Sequence, residues 1–228
     1  MKLKEIVPWG RSLAEYRLMF ALSEADLGRR ILGCGDGPAS FNAEMTALGH
    51  SVVSVDPLYQ FSGEQIRQRV QETYEPIVSQ VKQNSARYVW KTFEDADALG
   101  AARLAAMEAF LRDYGVGRAA GRYQFQALPK LALEDDAFSL CVCSHLLFMY
   151  SEHLSLGFHV ASLRELLRVS SEVRVFPLLD LKCEISPHLD AVIEAMSADG
   201  AEVQAQTVDY EFQKGGNQML VIRRRLER

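Results

Sequence analysis

The sequence predicts a single three-layer α/β domain on a mostly parallel seven-stranded sheet whose last strand is antiparallel. Three observations carry that prediction. Short apolar or β-branched runs alternate with longer segments of helical periodicity, the pattern of strands joined by helical crossovers. Residues 29–56, from "RRILGCGDGP" to "SVVSVD", read as strand, glycine-rich turn, helix, strand and terminal acid, a complete βαβ unit. The runs "AEVQAQTVDYEF" and "QMLVIRRR" at the carboxyl end are separated only by residues 213–217, a hairpin-length link that reverses the final strand.

The elements follow in order. Residues 11–27 read as an N-terminal helix with Leu13, Tyr16, Met19, Phe20 and Leu27 on one stripe. Residues 30–32 make a short strand that ends in glycines, and Pro38 is expected to open the next helix, since a first turn tolerates a missing N–H. Phe41, Met45 and Leu48 form its inner face and Gly49 stops it. "SVVSVDP" is a strand closed by Pro57. Residues 60–121 are polar and poor in β-branched runs, with helices expected over 65–82 and 95–114; this reads as a helical cap inserted above the sheet. Strands resume at "RYQFQAL" and "AFSLCVCSH", with "LALEDD" turning between them. A helix over "SLGFHVASLRELLRVS", a strand over "SEVRVFPLL" and a helix over "SPHLDAVIEAMSADG" complete the series, the last with Ser186 as N-cap and Gly200 as stop.

Composition narrows the function. The 228 residues carry a net charge of −5, which argues against general binding to nucleic acid or to an acidic membrane surface. No apolar run reaches the roughly 20 residues of a membrane span, and no apolar signal core follows the first lysines. The four cysteines sit in apolar contexts without framework spacing, so a reduced, cytoplasmic setting is expected. Cys141 and Cys143 share a strand face but find no His or Cys pair to complete a zinc site, so they read as core and no metal is expected. Glu134, Asp135 and Asp136 read as a solvated turn.

The glycine loop carries the chemistry. Gly33, Gly35 and Gly37 let the chain turn sharply from strand to helix and clear space for a ligand to approach backbone. The spacing G-x-G-x-G followed by Pro38 lacks the third glycine of G-x-G-x-x-G, which favours a cofactor without a pyrophosphate over a nicotinamide or flavin dinucleotide. Asp56, 23 residues after Gly33, stands where a carboxylate accepts both ribose hydroxyls of a nucleoside; the alternative is an Asp-Pro turn pair.

These residues resemble the class I S-adenosylmethionine-dependent methyltransferases. "ILGCGDG" looks like their first motif, "SVVSVDP" like their second, and "LEDDAFSLCVCSHLLF" like the segment entering their fourth strand. The terminal "GAEVQAQTVDYEF…QMLVIRR" resembles their last two strands. The resemblance covers residues 29–57 and 122–225 and implies a Rossmann-like fold, S-adenosylmethionine as cofactor and methyl transfer to a small-molecule acceptor. Cofactor contacts are then expected at Arg11, Gly33, Cys34, Gly35, Gly37, Asp56, Pro57, Leu128 and Ser144. Three positions depart from the family pattern. Ile31 stands for the acid before the loop, "FQALPK" offers Gln126, Ala127 and Leu128 without an acid for the adenine amino group, and Ser139 replaces a fourth-strand Asp. Asp36 is a substitute for the missing loop acid, and backbone at Leu128 for the adenine contact.

The acceptor side is expected past the fourth strand, at Ser144, His145, Tyr150 and Glu152. His145 is the candidate base, its ordinary pKa lying near neutrality; a structural histidine at a strand end is the alternative. Arg11 is placed to pair with a cofactor carboxylate, with Trp9 and Tyr16 walling the pocket, and Tyr59 is placed to stack on adenine; surface solvation and loop packing are the plain alternatives. The competing reading of the chain is a non-catalytic protein of the same architecture that binds a nucleoside or a protein partner.

Overall fold

The computed structural model describes residues 8–225. The elements run α1 (Leu13–Met19), α2 (Glu24–Leu27), β1 (Ile31–Cys34), α3 (Phe41–Ala47), β2 (Val52–Val55), α4 (Gly63–Gln83), α5 (Ala96–Ala119), β3 (Tyr123–Gln124), β4 (Leu140–Ser144), α6 (Leu156–Val169), β5 (Glu172–Phe176), α7 (Leu189–Ala198), β6 (Ala201–Thr207) and β7 (Gln218–Arg224). The seven strands form one sheet in the order β3-β2-β1-β4-β5-β7-β6. β1, β2, β3, β4 and β5 are mutually parallel and β7 runs antiparallel to both neighbours, as the hairpin-length link implied. This is a Rossmann-like sheet with its switch point between β1 and β4.

The strand period of two sorts the core into two faces. Ile31, Val52, Leu140, Val142 and Val221 pack beneath α1 and α3, together with Tyr16, Phe20 and Phe41. Leu32, Cys141, Cys143, Val173 and Ile222 face the other way, against Leu163 and Leu166 of α6 and Val192 and Met196 of α7. Cys141 and Cys143 are therefore core residues, as read from the sequence. No helix among the described residues is long and apolar enough to cross a membrane.

Several expectations change. The N-terminal helix is two helices: Ala21 adopts φ +46° after Met19 and Ser23 starts α2 with its own capping box, so residues 11–27 bend around Phe20. Pro38 lies in the turn ahead of α3, whose N-cap is Ser40. The N-cap of α7 is His188; Ser186 sits two residues earlier, bonding Ser151 Oγ at 2.6 Å. β3 is only two residues long. The edge strands are β3 and β6, with the antiparallel β7 inside the sheet.

The insert is also less detached than expected. α4 forms as its Ile66, Val70, Ile77 and Val81 spacing implies, started by a Ser62–Gln65 capping box. α5, however, packs on α3 and leads directly into β3, so it serves as the β2–β3 crossover helix. Beyond α4, residues 87–89 pair with the β6–β7 connection: Val89 N–H donates to the Phe212 carbonyl at 2.8 Å and Tyr88 stacks on Phe212 at 4.5 Å. That connection leaves the sheet at Thr207, five residues earlier than the sequence suggested, and folds over the carboxyl ends of the strands.

Candidate functional site

A cavity of about 420 Å³ opens at the carboxyl ends of β1, β2 and β4, the position where open parallel sheets bind ligands. Its floor is the glycine loop. Gly35 adopts φ +70°, and Gly37 gives its N–H to Asp56 Oδ2 at 2.8 Å. Gly33, expected as a cofactor contact, lies in β1 outside the cavity lining, and a Cβ there would fall 1.9 Å from Asp36 Oδ2. Its bare Cα makes room for Asp36 to fold back over the strand, so a carboxylate stands close to where Ile31 leaves none. Ile31 is buried against α1 and α3.

Asp36 is itself nearly buried and accepts from the Tyr16 hydroxyl at 2.8 Å and the Ser54 hydroxyl at 2.6 Å. Burial pushes its pKa up to about 7, against those two hydrogen bonds, with Asp56 adding to the rise. Asp56 lines the cavity at the tip of β2, and its pKa is also raised by burial. Both its oxygens already accept backbone N–H groups, Oδ2 from Gly37 and Oδ1 from Leu58 at 2.7 Å, so it orders the loop it faces. Cys34, Pro57, Leu128 and Ser144 line the same cavity, as do Gln126 and Ala127.

Arg11 reaches the cavity from the segment before α1. Its Nη1 donates to the Trp9 carbonyl at 3.1 Å, while its Nε is buried without a hydrogen-bond partner. Burial and the neighbouring Arg103 lower its pKa to about 10. Glu15 attracts Arg11 electrostatically, but the carboxylate is engaged elsewhere: Oε2 accepts from Arg103 and Oε1 from the Tyr210 hydroxyl at 2.9 Å. This buried Glu15–Arg103–Tyr210 cluster ties α1, α5 and the β6–β7 connection together beside the cavity. Sequence reading missed it. The only signal was an arginine in the apolar stripe of α5.

His145 lines the cavity in the left-handed region, φ +51°, fixed there by its N–H on the Phe176 carbonyl at 2.7 Å. Its Nδ1 lies 2.9 Å from Ser144 Oγ, and its pKa is well below the ordinary value because it is buried and faces Arg11 and Arg103. Trp9, Tyr16 and Tyr150 line the cavity as expected, but two candidates do not. Glu152 is exposed and pairs with Lys182. Tyr59 is buried among Phe110, Tyr114 and Tyr123, and its hydroxyl donates to the Gly37 carbonyl at 2.8 Å. Much of the remaining wall is apolar and comes from five segments: Ile77 and Val81 of α4, Met149, Phe158, Leu181 and Phe212.

Fold and cleft thus define a Rossmann-like α/β protein with a ligand-sized cavity at its switch point. No protein-family model matches the chain. It is 33% identical over 225 residues to the uncharacterised protein MJ0045 of Methanocaldococcus jannaschii, covering 98% of this chain and 99% of that one, and it belongs to the same family. Among solved structures, it is similar to magnesium protoporphyrin IX methyltransferase of Synechocystis PCC 6803 with bound S-adenosylmethionine (14% identity, TM-score 0.47, 89% of this chain and 73% of that chain). It is also similar to a TehB-like S-adenosylmethionine-dependent methyltransferase of Corynebacterium glutamicum (14% identity, TM-score 0.48, 92% and 86%).

Proposed function

We propose that the chain acts as one domain that binds S-adenosylmethionine and transfers its methyl group to a small-molecule acceptor. The observation that carries this reading is the cavity's pair of opposed features. Bare backbone at Gly35 and Gly37 faces Asp56 on one side, and Arg11, whose Nε is buried without a hydrogen-bond partner, lines the cavity from another. A sugar with two hydroxyls and an amino-acid carboxylate, joined in one small molecule, satisfies both. Asp36, folded over Gly33, supplies the loop acid whose usual position holds Ile31.

The bound sulfonium supplies an activated methyl group. The protein's part is to hold the acceptor in line, exclude water and receive a proton where the acceptor must lose one. The apolar walls of Met149, Phe158, Leu181 and Phe212 surround that position and His145 stands at its edge.

Calorimetric titration with S-adenosylmethionine and S-adenosylhomocysteine tests the assignment. Binding is expected for both, reduced tenfold or more by Asp56→Ala and unchanged by Glu134→Ala. No binding at millimolar concentration refutes it, because a competent site is stabilised by mass action. The non-catalytic reading is favoured by one observation, that both Asp56 oxygens are already occupied by N–H groups. Tight binding with no transfer of labelled methyl to any low-molecular-weight fraction of a cell extract selects it.

A further inference from the structure

A polar chain runs from the cavity into the core, and the cofactor contacts do not account for it. His145 Nδ1 meets Ser144 Oγ at 2.9 Å. The Ser144 hydroxyl in turn stands beside the Tyr16 hydroxyl, where it favours the ionised phenol against the effect of burial. Tyr16 donates to Asp36 Oδ1 at 2.8 Å, and Ser54 closes the far side of the carboxylate at 2.6 Å. All of Tyr16, Asp36, Ser54 and Ser144 are buried. Tyr16, Asp36 and Ser144 line the cavity as well, and His145 has a nitrogen left over there, since only Nδ1 is engaged.

The direction of this chain is set by its charged end. An ionised Asp36 accepts from Tyr16, so the Tyr16 oxygen accepts from Ser144 and the Ser144 oxygen accepts from Nδ1–H of His145. Nε2 is then bare and basic. When Asp36 carries a proton the order reverses, and the hydrogen ends on Nε2.

We propose that Ser144, Tyr16 and Asp36 form a proton relay that lets His145 act as a base without becoming cationic. The proposal rests on the methyl-transfer reading for its acceptor, while the relay itself is a property of the folded chain. The step balances as follows. The acceptor X–H bond breaks and its proton joins Nε2, leaving the electron pair on X to attack the methyl group. Nδ1–H passes to Ser144, the Ser144 proton to Tyr16, and the Tyr16 proton to Asp36 Oδ1. The products are a neutral imidazole and a neutral carboxyl group.

Surroundings make this route the favourable one. Burial, Arg11 and Arg103 together oppose an imidazolium at His145. Asp36 is held near the physiological range, so it takes a proton at little cost. The groups facing Asp36 are Tyr16 from α1, Ser54 from β2, Asp56 and Tyr59 beyond β2, Cys34 from β1 and Cys141 from β4; Asp56 is the one other carboxylate among them, and its oxygens are taken up by the Gly37 and Leu58 N–H groups. The same electrostatics select the acceptor. Two arginines beside His145 repel an ammonium group, and the apolar wall favours an aromatic or unsaturated frame. The chemistry that fits is an acidic hydroxyl, phenolic or enolic, on an apolar skeleton.

Nitrogen-15 NMR of the histidine rings tests the relay without knowledge of the acceptor. In the parent protein, His145 is expected to show a bare Nε2 as the main form above about pH 7. It passes to Nε2–H below that pH with no imidazolium, following Asp36. Tyr16→Phe keeps the ring that stacks on Phe41 at 4.3 Å but cuts the relay, and Ser144→Ala cuts it one step nearer the cavity. Both variants should lose the pH-linked exchange of tautomers. A parent that forms an imidazolium in this range, a tautomer that never changes, or variants that titrate like the parent overturn the proposal. Titration with S-adenosylhomocysteine runs alongside. Tautomer exchange without ligand binding defeats the methyltransferase reading and leaves the relay standing; binding with a static tautomer defeats the relay alone.

Discussion

Replacing Asp36 by asparagine should stabilise the protein increasingly as pH rises from the unfolded carboxyl value of 3.8 to alkaline pH, and make no difference below that value. The side chain sits over Gly33 and keeps its two hydroxyl partners with little change of shape, since an amide can accept from one and donate to the other. What changes is charge. In the fold Asp36 binds its proton with a pKa of about 7, against an ordinary value of 3.8. A group whose pKa is raised by folding stabilises the protein below its unfolded pKa, and that contribution is lost as pH rises through the folded value. Between pH 5 and pH 8, a pKa displaced from 3.8 to about 7 removes about 3 kcal/mol of stability from the parent, after a smaller loss between pH 3.8 and pH 5. His145 and His159, both lowered by burial, contribute with the opposite sign in the same window, so the parent's own profile is a sum. The difference between parent and Asp36→Asn isolates the carboxyl. Urea unfolding of both proteins at pH 5, 6.5 and 8 measures it. Parallel profiles, or a variant that loses ground as pH rises, refute the buried, proton-hungry carboxyl.

The other predictions concern the same neighbourhood. Arg103→Met strands the Glu15 carboxylate in the core and should cost about 3–5 kcal/mol in urea unfolding, with Glu15→Gln in the same chain recovering much of it. Gly33→Ala places a methyl group on Asp36 and should destabilise by about 1–3 kcal/mol while flattening the pH profile described above. Arg11→Gln should weaken S-adenosylhomocysteine by tenfold or more, the scale of one charge-assisted hydrogen bond of about 1.5–3 kcal/mol. It should leave 5′-methylthioadenosine, which lacks the carboxylate, binding as to the parent; calorimetry with both ligands separates the two.

The βαβ unit, the parallel sheet and the antiparallel β7 were legible in the chain because they depend on local pattern. Alternating burial in Ile31 and Leu32 or Val142 and Cys143, the Gly49 and Gly200 stops and the short final link all act within a few residues. The cavity contacts at Gly35, Asp56, Ser144 and His145 follow from the same logic, since strand ends in such a sheet converge at one edge. Where reading failed, the cause was distance along the chain. The bend at Ala21 wraps α1 and α2 around Phe20, which packs edge-on against Phe176 from β5. Tyr59 has the look of a stacking residue, yet Phe110, Tyr114 and Tyr123, more than fifty positions on, claim its ring.

Sequence by itself therefore determined the order of layers and the loop at which a ligand meets backbone, because periodicity and glycine spacing are set by neighbours in the chain. Tertiary structure alone decided which way Asp36 points, that Arg103 spends its charge on Glu15 while the Nε of Arg11 goes unpartnered, and that α4 and Phe212 wall the cleft. Those outcomes depend on burial and on partners brought from remote elements, and the free energy of a buried charge is set by whatever surrounds it.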